Sequence, residues 1–174
     1  MHKHAIYRYI CYLTGNRGEA EDLFQDTWLR VAKHIHRIRD PQKVRPWIFT
    51  IATNLHRDQL RKKKVRLAFW NQATDPLARS EDNTMGTEPA DPAAAMEREE
   101  TGRAIRDALN TLPEKLKRVF ILREIEGFTY NEIAGILDLS QGTAKSRMHR
   151  AVRRLRHILA DHQPGVRPRA EGYA

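Results

Sequence analysis

The segment SQGTAKSRMHRAVRRLRHIL carries side chains that can grip a nucleic acid. At about 100° per residue, Ser146, His149, Arg150 and Arg153 share one helical face, with Lys145 beside it. Arg147 and Arg154 fall nearer its boundary. Arginine can pair in bidentate fashion with guanine, serine and histidine can bond several base edges, and further arginines can fix register on phosphates. A second set, Asn54, Arg57, Asp58 and Arg61, is spaced i, i+3, i+4, i+7 and runs into Arg61, Lys62, Lys63, Lys64 and Arg66. Asn and Arg on one stripe suit phosphates and base edges, although a basic run at a helix end can also be only solvated surface. A third set, Glu21, Asp22, Gln25 and Asp26, is acidic. It is either solvated surface or a docking face, and in a basic module its partner would be protein rather than phosphate.

The elements that hold these sets read as helices, with no strand-like alternation of useful length. In GEAEDLFQDTWLRVAKHI, Ala20, Leu23, Phe24, Thr27, Trp28, Val31 and Ile35 form the apolar stripe, and the acidic set lies off it. Asp40-Pro41 marks a turn, and Pro46 suits the first turn of a helix through RPWIFTIATNLHRDQLRKKK. Trp47, Ile48, Ile51, Ala52 and Leu55 are its apolar stripe; Trp47 and Phe49 could stack on unpaired bases. Ile105, Ala108, Leu109 and Leu112 make another amphipathic helix. Pro113 starts the next, with Leu116, Val119 and Phe120 inward and Gly127 as its stop.

The stretch FTYNEIAGILDLSQGTAKSRMHRAVRRLRHIL then has the form of a helix-turn-helix. Thr129 and Glu132 form a capping box and LDLS is the turn, in which Asp138 tolerates left-handed backbone. Ser140 caps a second helix whose apolar face is Ala144, Met148, Ala151, Val152, Leu155, Ile158 and Leu159.

Charge divides the chain in three. Residues 1–69 are net +9, 70–100 net −6 and 101–174 net +6, which gives the +9 of the 174-residue whole. The acidic stretch NQATDPLARSEDNTMGTEPADPAAAM is rich in Pro and small polar residues and reads as a flexible linker between two modules. The tail DHQPGVRPRAEGYA also reads as unstructured.

A basic balance implies a polyanionic partner. One cysteine excludes an internal disulfide and a Cys-based zinc site, and no apolar run is long enough to cross a bilayer. The eight histidines include His2/His4 and His34/His36, whose i, i+2 spacing does not converge on a metal. No phosphate loop or nucleophile motif is present, so neither an enzyme nor a cofactor is expected. Membrane insertion is not expected either.

Taken together, AEDLFQDTW, RPWIFTIATNLHRDQLR, LPEKLKRVFILREIEGFTYNEIAGIL and LSQGTAKSRMHRAVRRLR resemble the sigma-70 family of bacterial sigma factors, extracytoplasmic-function (ECF) type. The resemblance implies an all-α fold of two small helical domains. A region 2-like domain spans 1–69, an acidic linker 70–98, a region 4-like helix-turn-helix 99–160 and a disordered tail 161–174.

The resemblance also implies roles. Asp22, Gln25 and Asp26 would dock on the β′ clamp of core RNA polymerase. The loop around His36–Arg45 with Asn54, Arg57, Arg61, Lys62 and Lys63 would open and read the −10 element of promoter DNA. Lys145, Ser146, Arg147, His149, Arg150 and Arg153 would read the −35 element, and Leu116 to Ile125 would hold the β flap. Transcription initiation in the cytoplasm, with an anti-sigma factor as a further partner, follows from the same likeness. The alternative is a helix-turn-helix regulator that is not a polymerase subunit.

Overall fold

A computed structural model describes residues 2–71 and 106–161. Nearly all of the proposed linker, residues 99–105 of the proposed helix-turn-helix domain, and the proposed tail beyond Asp161 lie outside them, while Asp161 itself ends the last helix. The N-terminal part is three helices: α1 (Lys3–Thr14), α2 (Arg17–His34) and, after a 3-10 turn at Ile35–Arg37, the long α3 (Pro41–Asn71). The C-terminal part begins with α4, described over 106–110. It continues with α5 (Glu114–Phe120), a π-turn (Ile121–Ile125), α6 (Tyr130–Leu137) and α7 (Gln141–Asp161).

Local chemistry sets the ends. Gly15 closes α1 with φ 67°, a left-handed conformation that L side chains rarely adopt, and its N–H bonds to the Cys11 carbonyl at 3.0 Å. Asn16 caps α2 by accepting the Glu19 N–H at 3.0 Å. Asp40 accepts the Gln42 N–H at 2.9 Å, so α3 starts at Pro41. The sequence placed the start at Pro46, which instead lies inside the helix. Pro41 is the proline at the first helical position, where a missing N–H costs nothing.

Apolar stripes from α1, α2 and α3 meet. Ile6, Tyr9, Ile10, Leu13, Ala20, Leu23, Val31, Ile48, Phe49, Ala52 and Leu55 are buried. Each large side chain so placed contributes about 1.5–3 kcal/mol. Ile35, expected on the stripe, is 39% exposed because the chain has left α2 for the 3-10 turn. Cys11 is buried, and burial pushes its thiol up to about 11, which leaves little thiolate to react.

The two parts abut in a way their patterns do not announce. Helix α6 packs on α3, and α1 meets α5 and the π-turn. The Tyr9 hydroxyl and Thr53 hydroxyl bond at 2.8 Å inside the first part. Across the seam, buried Lys117 donates to the Leu13 carbonyl at 3.2 Å, and within its own part it donates to Asn110 Oδ1 at 2.8 Å. An ammonium at the C-terminal end of α1 also meets the negative end of that helix dipole.

His56 of α3 sits in the same seam, with Lys63 from its own helix and Glu114, Lys117 and Arg118 from α5 around it. Its Nδ1 lies 3.9 Å from Glu114 Oε2, too far for a hydrogen bond. Burial, then the cations Arg118, Lys117 and Lys63, push His56 down to about 4, so the ring is neutral and this contact is no ion pair. The unfolded ring takes its proton near pH 6.5 and the folded ring only near pH 4. Stability from this group is therefore complete above pH 6.5 and falls as acid is added toward pH 4. A loss of order 2 kcal/mol is expected over that window. Denaturant midpoints of the wild type and His56→Gln at pH 7 and pH 5 check it; an equal acid loss in both would refute the assignment.

Candidate nucleic-acid interface

The helix-turn-helix is built as its residue types require. Thr129 Oγ1 accepts the Glu132 N–H at 3.3 Å, and the Glu132 carboxylate accepts the Thr129 N–H at 2.7 Å. The bond from the Thr129 backbone holds Glu132 below the usual carboxylate range. Asp138 takes φ 53°, the left-handed turn expected of it, and the Leu139 N–H reaches the Ala134 carbonyl at 3.0 Å. Ser140 Oγ accepts the Thr143 N–H at 3.1 Å and starts α7.

Ala144, Met148, Ala151 and Leu155 of α7 are buried against the rest of the part. Lys145, Ser146, His149, Arg150 and Arg153 are exposed together, and Arg147 is half-buried at the boundary. Tyr130, at the start of α6, lies under two cations, Arg123 at 4.9 Å and Lys145 at 6.0 Å from its ring centroid.

On α3, Asn54, Arg57 and Arg61 are exposed along one stripe. Arg57 bonds Asn54 Oδ1 at 3.4 Å and Arg61 bonds Asp58 Oδ1 at 3.3 Å. Such long surface contacts hold little energy, so these guanidinium groups can exchange them for phosphates. Lys62 is exposed, but Lys63 is half-buried and bonds Glu19 of α2. Phe49, read as a stacking candidate, is fully buried against Tyr9 and Phe128 and cannot reach a base.

Trp47 is half-buried and lines an open concavity of about 440 Å³ with Arg30, Lys33, His34, Arg37, Ile38 and Ile51. This hollow combines an aromatic face, aliphatic walls and a cationic rim, the composition that takes an unstacked base and its phosphate. Arg30, Lys33 and His34, which line this hollow, are not among the site residues the sequence singles out. Their signal was present: Arg30, Lys33, His34 and Arg37 recur at i, i+3, i+4 and i+7.

Asp22, Gln25 and Asp26 are exposed on α2, and Leu29, 61% exposed, follows one turn on. Among the described residues, no group of three or more His, Cys, Asp or Glu is placed to hold a metal. No helix among them is long and apolar enough to cross a membrane.

Comparison with known proteins matches residues 1–66 to the sigma-70 region 2 family and residues 102–155 to the sigma-70 region 4 family. ECF RNA polymerase sigma factor SigW of Bacillus subtilis is 34% identical over 169 residues, covering 92% of this chain and 86% of that protein. SigE of Mycolicibacterium smegmatis is 32% identical over 92% of this chain, which spans 60% of that longer relative. Among solved structures, the sigma factor RpoE of Bartonella quintana, crystallised with the anti-sigma factor NepR, superposes with a TM-score of 0.70 at 24% identity. That match covers 92% of this chain and 93% of that one.

Proposed function

Because this chain belongs to the sigma-70 family, with ECF sigma factors as its relatives, we propose that it is the dissociable specificity subunit of RNA polymerase. It binds the core enzyme, directs it to promoters and helps to open the DNA, while the polymerase supplies all the chemistry. The observation that carries this reading is the exposure, on one chain, of two separate cationic helix faces and one acidic helix face.

In this reading Lys145, Ser146, Arg147, His149, Arg150 and Arg153 hold the −35 duplex in the major groove. Asn54, Arg57, Arg61, Lys62 and Lys63 track the −10 element, and the hollow at Trp47 receives a base of the unpaired strand. Unstacking that base costs a few kcal/mol, which burial in the hollow offsets. Asp22, Gln25 and Asp26 dock on the β′ clamp, Leu116 to Ile125 hold the β flap, and an anti-sigma factor competes for these faces. The acidic face favours a polymerase subunit over a stand-alone DNA-binding regulator, since it has no use against phosphate. The protein works in the cytoplasm, where the polymerase is.

Reconstitution tests it. Core polymerase with this chain should initiate at a discrete set of genomic promoters that core enzyme alone ignores. Absence of any chain-dependent start site would reject the proposal.

A further inference from the structure

The π-turn has a visible consequence. In it the Glu126 N–H bonds to the Ile121 carbonyl at 3.0 Å, one residue further back than in an α-helix. The extra residue turns Glu126 inward instead of letting it follow the exposed Glu124. Its side chain is fully buried between the two parts of the molecule. Arg8 of α1 donates to Glu126 Oε1 from both Nε and Nη2, each at 3.0 Å. Arg45 of α3 donates to the Glu126 carbonyl at 2.5 Å and lies 3.6 Å from Oε2. Gly127, at φ 72°, then turns the chain so that Phe128 lies under Arg45, 4.1 Å from ring centroid to guanidinium carbon. A buried carboxylate met by two guanidinium groups from separate helices is a directional fastening, unlike apolar packing that could slide.

What the fastening closes follows from distances. Helix α6 packs on α3 and α7 on α6. Two helix-to-helix steps of about 8–10 Å set α7 only about 20 Å from α3. The −35 and −10 elements lie roughly 25 base pairs apart, about 85 Å along straight duplex. Both reading faces are exposed in this arrangement, but they cannot reach both elements at once. In the segment Leu116 to Ile125, assigned above to the β flap, Lys117, Val119, Ile121 and Leu122 are buried, and Lys117 is bonded across the seam to the Leu13 carbonyl.

We propose that Glu126, with Arg8 and Arg45, is the latch of a closed form of this chain, and that polymerase binding requires the latch to open. The gating rests on the function proposed above; the latch itself does not. The apparent affinity of a partner falls with the fraction of molecules in the competent form, so a weakened latch should tighten binding.

The test uses the full chain and two variants, Glu126→Gln and Arg8→Ala. Arg8 is half-exposed, so the second variant keeps the core of both parts even if the first fails to fold. Small-angle scattering should show a larger radius of gyration for each folded variant than for the wild type, with unchanged helix content by circular dichroism. Binding to core polymerase should tighten about threefold or more. A folded variant as compact as the wild type overturns the latch. Expansion without tighter binding overturns the gating. If the wild type does not bind core polymerase at all, the proposed function falls, while scattering still decides the latch.

Discussion

Phe128→Ala should lower stability by about 3–5 kcal/mol, the usual cost of truncating a fully enclosed aromatic side chain. Phe128 has no exposed surface, and its ring stands edge-on to Phe49 with centroids 4.8 Å apart. Its other face carries the Arg45 guanidinium. Three losses therefore coincide: the transfer energy of the ring, an aromatic pair worth about 0.5–1.5 kcal/mol, and a cation–π contact. For a chain of this size the thermal midpoint should fall by roughly 10 °C. Calorimetry checks the size, and a Phe49/Phe128 double-mutant cycle checks the origin. A drop below about 1 kcal/mol would mean that the ring does not fill this seam in solution.

The same residue shows where sequence patterns run out. Helical periodicity reads each helix against its own part, and there it succeeds. Ala144, Met148, Ala151 and Leu155 face inward as spaced, the Thr129–Glu132 box forms, Ser140 caps α7 and Asp138 takes the left-handed turn. Nothing in a local pattern reports which faces of two parts distant in sequence meet. Phe49 looked like a stacking residue because it falls off the main stripe of α3; it is buried because a second partner covers that side. Lys117 and Glu126 lie on no stripe that a helical period picks out, yet each is enclosed, because its pairing partner, the Leu13 carbonyl or Arg8, lies about a hundred residues away.

The π-turn that aims Glu126 has no sequence signature that a 3.6-residue period can detect. Pro46 misled for a different reason. Two prolines stand five residues apart, either fits a first turn, and Asp40 as the cap decides for Pro41.

On the reading face of α7, the paired substitution Arg150→Ala/Arg153→Ala should weaken binding of a −35 duplex by about 2–5 kcal/mol. Both side chains are exposed on one side of α7, one turn apart. Arg150 makes one weak contact to its own helix, Nε to the Ser146 carbonyl at 3.4 Å, so its removal costs the fold almost nothing. The two can act differently. An arginine paired with guanine gives up discrimination when removed, whereas one on a phosphate weakens all sequences alike and reduces the salt dependence by about one counterion. Titrations of each single variant and the pair should therefore be run on matched and scrambled duplexes at several salt concentrations. Arg156→Ala, on the same helix but outside the proposed set, measures the purely electrostatic part. If Arg156→Ala costs as much as Arg150→Ala on the matched duplex and the salt slopes change equally, the face contributes charge alone, and base reading must be sought elsewhere on the helix. If Arg150→Ala removes the preference for the matched duplex while Arg156→Ala leaves it, then Arg150 reads a base, held in place by the Ser140 cap and the buried Ala144–Met148–Ala151 ridge beneath it.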